Sequence, residues 1–259
     1  MKNADILKTF LRSFLLQCVW NYERMQNVGF VYSILPSLRK IYSDPDKRKP
    51  IVREHLDFFN THPYVVGVIL GMVLMLEEKA VQNQNEADKE KTRKEISNVK
   101  INMACPVAAL GDTFFWAGWR PLCCLLAMFP ILAFDEKVSL TAAWIITAGF
   151  LVVYNALHLI IRYKCLQEAY TAGSKVVLFI QSLKAQKSII LVRILSLITV
   201  TVIALDYFLA HSYTAVEKLI FLALLFSGLL LYRRGISSTK IFYGFITITI
   251  IVSLIGIKP

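Results

Sequence analysis

Asp112, Trp116 and Arg120 recur at steps of four. A helix through them would carry a carboxylate, an indole and a guanidinium on one face, with a drift of only about 80° across the three. That trio suits a carbohydrate. The carboxylate accepts hydroxyl protons, the indole stacks on the C–H face of a sugar ring, and the guanidinium offers a fork of donors. The same residues also admit a structural role: Asp112 as a helix cap, Arg120 snorkelling or pairing with it, and Trp116 at an interface. Upstream, Asn60, Thr61 and His62 stand directly before Pro63. A polar pair followed by proline in the first turn predicts a helix start, whose free N–H groups would face a ligand's oxygens. Capping accounts for Asn60 or Thr61 equally well. His62 can titrate near neutrality, and a lone histidine beside a proline also serves packing or polar surface. Glu77 and Glu78 close the apolar run that follows, as partners for substrate hydroxyls or as a solvated helix end.

No self-contained catalytic centre accompanies them. The histidines at 55, 62, 158 and 211 have no H-E-x-x-H spacing, and the chain has no phosphate loop, dinucleotide fingerprint or nucleophile elbow. Cysteines 18, 105, 123, 124 and 165 form neither a disulfide framework nor a C-x-x-C pair, and read as small apolar filler. No catalytic residue, metal or cofactor is expected on this chain.

The elements that would position these residues belong to a membrane protein. Of 259 residues, 56% are hydrophobic and only 18% charged, and the mean hydropathy is +0.54. Soluble domains average about 25% charged residues, so this chain has too little charge to coat a compact surface. The net charge of +11 lies mainly in polar stretches between apolar runs, among them Arg39 to Arg53 and Lys89 to Lys100. Cytoplasmic loops carry such residues, so topology explains the excess and nucleic acid is not the expected partner.

Along the chain, Ile6, Leu7, Phe10, Leu11, Phe14, Leu15 and Cys18 recur at three- and four-residue steps, with Lys2, Lys8 and Arg12 off the stripe. This predicts an amphipathic helix, lying in the membrane interface or packed on a core. Lys8 and Arg12 interrupt the stripe, so a cleaved leader is not expected. Residues 36–50 read as a solvated connector with three prolines. The run 64–76 has thirteen apolar residues, about 20 Å of helix against a hydrocarbon core of about 30 Å, and predicts a re-entrant or broken segment. Residues 82–100 have no apolar period and predict a solvated helix or loop, or a docking face for a soluble partner. The stretch 101–134 is apolar but broken at Gly111-Asp112-Thr113 and Arg120-Pro121, the mark of a discontinuous helix at a midplane site. Residues 140–161 and 188–210 are long enough to span, with Arg193 and Asp206 near the ends of the second, within reach of headgroups. A closing pair, 219–232 and 241–257, flanks the basic turn Arg233-Arg234-Gly235. The expected class is an all-α integral membrane protein: interfacial N-terminal helices, two short broken segments and about four transmembrane helices. The expected divisions are an amphipathic arm at 1–59, a broken-helix core at 60–134 with a polar loop at 79–100, and spans within 138–259.

Three blocks then resemble one family. Trp20-Asn21-Tyr22-Glu23-Arg24-Met25-Gln26-Asn27 with Gly29-Phe30, then His55 through Tyr64 with Gly67, Gly71 and Glu77-Glu78, then Gly111-Asp112, Phe115-Trp116 and Arg120-Pro121, are similar to the signatures of the membrane IID component of the mannose/fructose/sorbose phosphotransferase system. Close similarity covers residues 14–121, and the remainder matches in hydropathy and length. The resemblance implies a homologous IIC partner, a trimer of IIC–IID heterodimers in the cytoplasmic (inner) membrane with the N-terminus cytoplasmic, and translocation of a hexose through the bilayer by a sliding movement. It also implies that the sugar is phosphorylated by a soluble IIB protein charged by IIA, with no phosphoryl carrier on this chain. In the family the third block begins Gly-Pro and has a further glycine before Gly-Asp. Here Cys105 precedes Pro106 and Ala109 holds the later position. That departure implies a reshaped passage, or a non-transporting scaffold or sensor that keeps partner docking.

Overall fold

The computed structural model describes residues 2–134, 138–173, 185–210 and 214–254. Among them no strand forms, only isolated bridges Asn21–Met25 and Met25–Phe59. The helices are α1 (Asn3–Ser13), α2 (Asn27–Ile41), α3 (Pro45–His55), α4 (Gly67–Gln82), α5 (Glu86–Gly111), α6 (Arg120–Phe134), α7 (Leu140–Ala172), α8 (Ala185–Ala210), α9 (Ala215–Arg233) and α10 (Ser238–Leu254), with a π-helical segment Asp112–Trp119 between α5 and α6. Two compact units divide the chain, Met1–Val200 and Thr201–Pro259. Among the described residues, three helices are long and apolar enough to cross a membrane: Glu86–Leu132, Leu140–Ala172 and Gln186–Asp206.

In the first unit α4 is the hub. Val66, Ile69, Leu70, Val73 and Leu74 are all fully buried, packed with Phe30, Ile34 and Leu38 of α2, Ile96 and Val107 of α5, and Leu166 of α7. Gly67 and Gly71 set the approach to α7. A Cβ on either would come within 2.4 Å of a carbonyl oxygen of that helix, Arg162 O for Gly67 and Leu166 O for Gly71. This is the close backbone packing that small residues four apart permit. The thirteen-residue run is the centre of a core helix sheathed in protein, and at 16 residues α4 is shorter than a full span needs. Its ends differ from the expected ones. It starts at Gly67 after a turn, with no side-chain cap, and continues past Glu77-Glu78 to Gln82.

Helix α1 turns its polar side inward. Asp5, Thr9 and Ser13 are buried: Asp5 pairs with Lys40, and Thr9 Oγ1 lies 3.2 Å from Ser37 Oγ. Ile6 is also buried, while Leu7, Leu11, Phe14 and Leu15 stay exposed. Of the predicted stripe, then, only Ile6 and the partly buried Phe10 meet the core.

Of residues 82–100, Gln82 ends α4 and the chain from Glu86 onward forms the start of α5, capped by the Asn85 side chain, which accepts from Ala87 N at 3.0 Å. Thr92, Ile96 and Val99 are buried on one face, a spacing hidden in the sequence because threonine supplies one of its three members. The predicted break at 111–121 does not interrupt the helix either. Pro121 would clash with the carbonyl of residue 117 in a regular α-helix. The preceding turns widen to i→i+5 spacing, shown by Arg120 N bonding Phe115 O, and the helix passes through. Such π segments occur often at functional sites.

In the second unit, α9 and α10 form the expected closing hairpin. Gly235 (φ +85°) makes the turn, and Gly228 sits beside Phe245.

Candidate functional site

The first signature block builds a cradle for the second. Asn21 and Met25 exchange backbone bonds of 3.1 and 3.0 Å, and Gln26 N donates to Phe59 O at 2.8 Å. The Gln26 carboxamide then clasps the Thr61 backbone, accepting from Thr61 N at 3.0 Å and donating to Thr61 O at 2.9 Å. The Asn27 side chain donates to Leu56 O at 2.7 Å. Thr61 Oγ1 donates to Ala104 O at 3.0 Å, tying the segment to α5. Thr61 is thus a buried brace and not a helix cap, whereas Asn60 is exposed. Both sit before a turn and not at the first turn of α4, which corrects the predicted helix start.

This bracing presents His62 to the π segment. Gly111 makes room for it, since a Cβ there would stand 2.4 Å from His62 Cγ. The ring lies against Phe115 (centroids 5.7 Å, stacked), Trp116 (4.7 Å) and Tyr64 (5.1 Å, edge-on). Tyr64 N donates to His62 Nδ1 at 3.2 Å, so the neutral ring carries its proton on Nε2. That Nε2 is buried without a hydrogen-bond partner and lies 4.0 Å from Asp112 Oδ1. Burial, followed by the nearby positive charge of Arg162 and His158, lowers the His62 pKa to about 4, so the ring is neutral at physiological pH. The result is a donor and a carboxylate acceptor held just too far apart to satisfy each other. His62 Nε2 is closed to solvent in this arrangement, so a ligand hydroxyl would bridge it to Asp112 only after the Asp112 or Trp116 side chain turns aside, while the half-exposed face of Trp116 offers a stacking surface.

Helix α7 forms the adjoining wall. His158 stacks on Tyr64 (4.0 Å, 10°), the Tyr64 and Tyr154 hydroxyls are 3.0 Å apart, and His158 Nε2 lies 2.9 Å from Asn155 Oδ1. His158 Nδ1 is a second buried atom without a partner. Arg162 is buried and donates through Nε to Pro63 O at 2.9 Å, which fixes the turn carrying His62 and Tyr64. Tyr154, Asn155 and His158 lie within a stretch that reads from the sequence as an ordinary span. Their signal was three polar-edged residues within five positions of an apolar helix.

The seven sequence candidates therefore separate. His62, Asp112 and Trp116 converge, and Thr61 supports them. Arg120, four residues beyond Trp116, is exposed. Glu77 belongs to a different network. It is fully buried and bonds His55 Nε2 at 2.9 Å, Arg93 Nη1 at 2.8 Å and Tyr42 Oη at 2.8 Å. Burial raises the Glu77 pKa, but the His55 bond and the nearby charges outweigh it, and the net shift is downward. This carboxylate locks α2, α3, α4 and α5 together. Among the described residues no group of His, Cys, Asp and Glu is arranged to hold a metal ion. Cys105 and Ala109 are both exposed on α5, so neither side chain crowds His62.

A family model described as the PTS system mannose/fructose/sorbose family IID component matches residues 1–258. The mannose-specific EIID component of Escherichia coli strain K12 is 34% identical over 178 residues, 68% of this chain and 58% of that relative. The fructose permease IID component of Bacillus subtilis strain 168 is 30% identical over 187 residues, 72% of this chain and 63% of that one. The chain thus spans less than two thirds of the length of these curated relatives. A chain of the mannose transporter ManYZ, solved by cryo-EM in complex with microcin E492, is similar over 99% of this chain and 97% of that one, with TM-score 0.58 and 27% identity. A second solved membrane-protein chain gives TM-score 0.70 at 27% identity over 98% of this chain.

Proposed function

Because the chain belongs to the family of IID membrane components of mannose/fructose/sorbose phosphotransferase systems, we propose that it is half of a hexose permease, with a homologous IIC subunit supplying the other half. The observation that carries this is the buried, unpartnered Nε2 of His62, 4.0 Å from the half-exposed carboxylate of Asp112 and beside an indole face. Buried polar atoms are nearly always satisfied, and a sugar offers the adjacent hydroxyls and C–H face that would complete this set. His62, Asp112 and Trp116 are the contact residues. Tyr154, Asn155 and His158 line the neighbouring wall, and Arg120 lies at the exposed end. Thr61 and Glu77 hold the scaffold, and Asn60 stands exposed beside Thr61.

In this assignment His62 donates to a hydroxyl and carries no phosphoryl group. Phosphorylation falls to a soluble IIB protein charged by IIA. The subunits assemble as a trimer of IIC–IID heterodimers in the inner membrane, with the N-terminus cytoplasmic as the basic connectors favour. The exposed positions of Cys105 and Ala109 remove the motive for a non-transporting scaffold, since neither narrows the site within this chain.

The test is uptake of labelled mannose, fructose and sorbose by cells carrying the IIC–IID pair. Asp112→Ala should abolish uptake of the transported sugar while the pair still co-purifies. Full uptake in that variant removes Asp112 from the site.

A further inference from the structure

A groove of about 330 Å³ lies in the first unit between α4, the end of α5, the π segment, α7 and the start of α8; it shares Phe115 with the His62 site but is lined by neither His62 nor Asp112. Its walls are Val68, Val107, Leu110, Phe114, Leu157 and Ile161, with Lys164 and Ser188 also lining it. A helix with its side chains is about 10–12 Å across, too thick to enter a groove of that volume, whereas a hydrocarbon chain is thin enough.

Depth places the lysine. Twenty-four residues separate Leu140, the first residue of α7, from Lys164, about 36 Å of helix. The hydrocarbon core is about 30 Å thick, so a span that enters at Leu140 has emerged before Lys164. The ammonium lies at headgroup level and the apolar walls extend from it towards the bilayer centre. Lys164 is exposed and has no ion-pair partner among the described residues. Arg162 and Lys187 flank the same end in sequence, which by the charge rule is the cytoplasmic leaflet.

We propose that this groove is a binding site for an anionic phospholipid of the cytoplasmic leaflet, with one acyl chain against the apolar walls and the headgroup phosphate on Lys164. An apolar slot closed by a single cation at headgroup depth matches a molecule that is greasy at one end and negative at the other. A zwitterionic lipid brings the same chain and phosphate but a compensating cation beside the phosphate, which weakens its attraction to Lys164, and free phosphate brings no chain. The inference is independent of the sugar assignment, and sugar uptake is not its readout.

The experiment is native mass spectrometry of the chain purified with its IIC subunit from nanodiscs of equal phosphatidylglycerol and phosphatidylcholine. The wild type should retain phosphatidylglycerol in excess. Lys164→Gln, a change at an exposed side chain, should lower that preference about fivefold, the usual worth of one lysine near an anionic surface. Lys164→Arg should keep it. Leu157→Trp, which fills the slot, should lose the retained lipid whatever its headgroup. Equal retention of the two lipids, or a preference unmoved by Lys164→Gln, overturns the proposal. So does displacement of the lipid by soluble glycerol phosphate, because the acyl chain would then contribute nothing. A map of the complex with a partner helix seated over the groove overturns it in favour of a subunit interface.

Discussion

Replacing Gly111 by alanine isolates the contact that holds His62 in place. A methyl group at this position would stand 2.4 Å from His62 Cγ, 2.6 Å from Cβ and 2.7 Å from Nδ1. Carbon atoms in good contact are about 3.5–4.0 Å apart, so the ring or the helix must retreat by about 1 Å. The ring has little room to move. Phe115, Trp116 and Tyr64 surround it, and the Tyr64 N–H is already 3.2 Å from Nδ1. Overpacking of this kind costs about 1–3 kcal/mol. The intrinsic effect of the substitution has the opposite sign, because alanine is favoured over glycine inside a helix by about 0.5–1 kcal/mol. The expected net result is a loss of about 1–2 kcal/mol, or about 2–8 °C in melting temperature for a chain of this size, together with loss of uptake. The assay is thermal denaturation of the purified IIC–IID complex for wild type, Gly111→Ala, His62→Ala and the double variant. In the double variant the new methyl meets space instead of a ring. The cycle should therefore show coupling of about 1–3 kcal/mol, in the range seen for residues in contact. A melting temperature raised by Gly111→Ala, with additive behaviour in the double variant, would refute the packing account of His62.

Two acid–base predictions follow from the buried groups. His62 has its pKa lowered to about 4 from 6.5, so the unfolded chain binds the proton first as pH falls. Its contribution to stability is complete above pH 6.5 and is lost progressively down to about 4. A melting-temperature profile over that range should flatten in His62→Gln, and an unchanged slope would contradict the buried neutral ring. Glu77 is held below the ordinary value of 4.5, so its stabilisation is present above that pH and disappears as acidification carries it through the folded value. Glu77→Gln should cost about 3 kcal/mol at neutral pH, near the low end for removing one member of a buried pair, because Arg93 keeps Glu54 at 3.5 Å. Its hexose affinity should be unchanged once the protein is folded, measured by sugar binding to the stable fraction. Weakened affinity there would return Glu77 to the sugar site.

The membrane class was legible because it rests on composition, which no packing arrangement alters. The three signature blocks were legible for a similar reason, being contiguous in sequence. Asp112, Trp116 and His62 could be singled out as a carboxylate, an aromatic and a titratable ring at helical spacing or beside a proline. Yet the spacing rule assumed a regular α-helix through 112–120, and the chain forms a π segment there. Glu77 shows the other kind of miss. Beside Glu78 at the edge of an apolar run it reads as a solvated end, but the helix continues for another turn and buries it against His55, Arg93 and Tyr42. Those partners come from α3, α5 and the residue that follows α2, and no local pattern announces them.

What the amino-acid order by itself determined was where the chain could leave water, how much of it was helical, and which residues carried groups suited to a hydroxyl-rich ligand. Hydropathy, proline and glycine placement and residue chemistry are local properties, readable one window at a time. Only the tertiary structure decided that α4 is a core helix sheathed by α2, α5 and α7, that Gln26 clasps Thr61 across 35 positions, and that His62 faces Asp112 with a gap between them. Each of these depends on which faces pack together. Packing is settled by the combined burial of many side chains distant in sequence, and no single stretch contains that information.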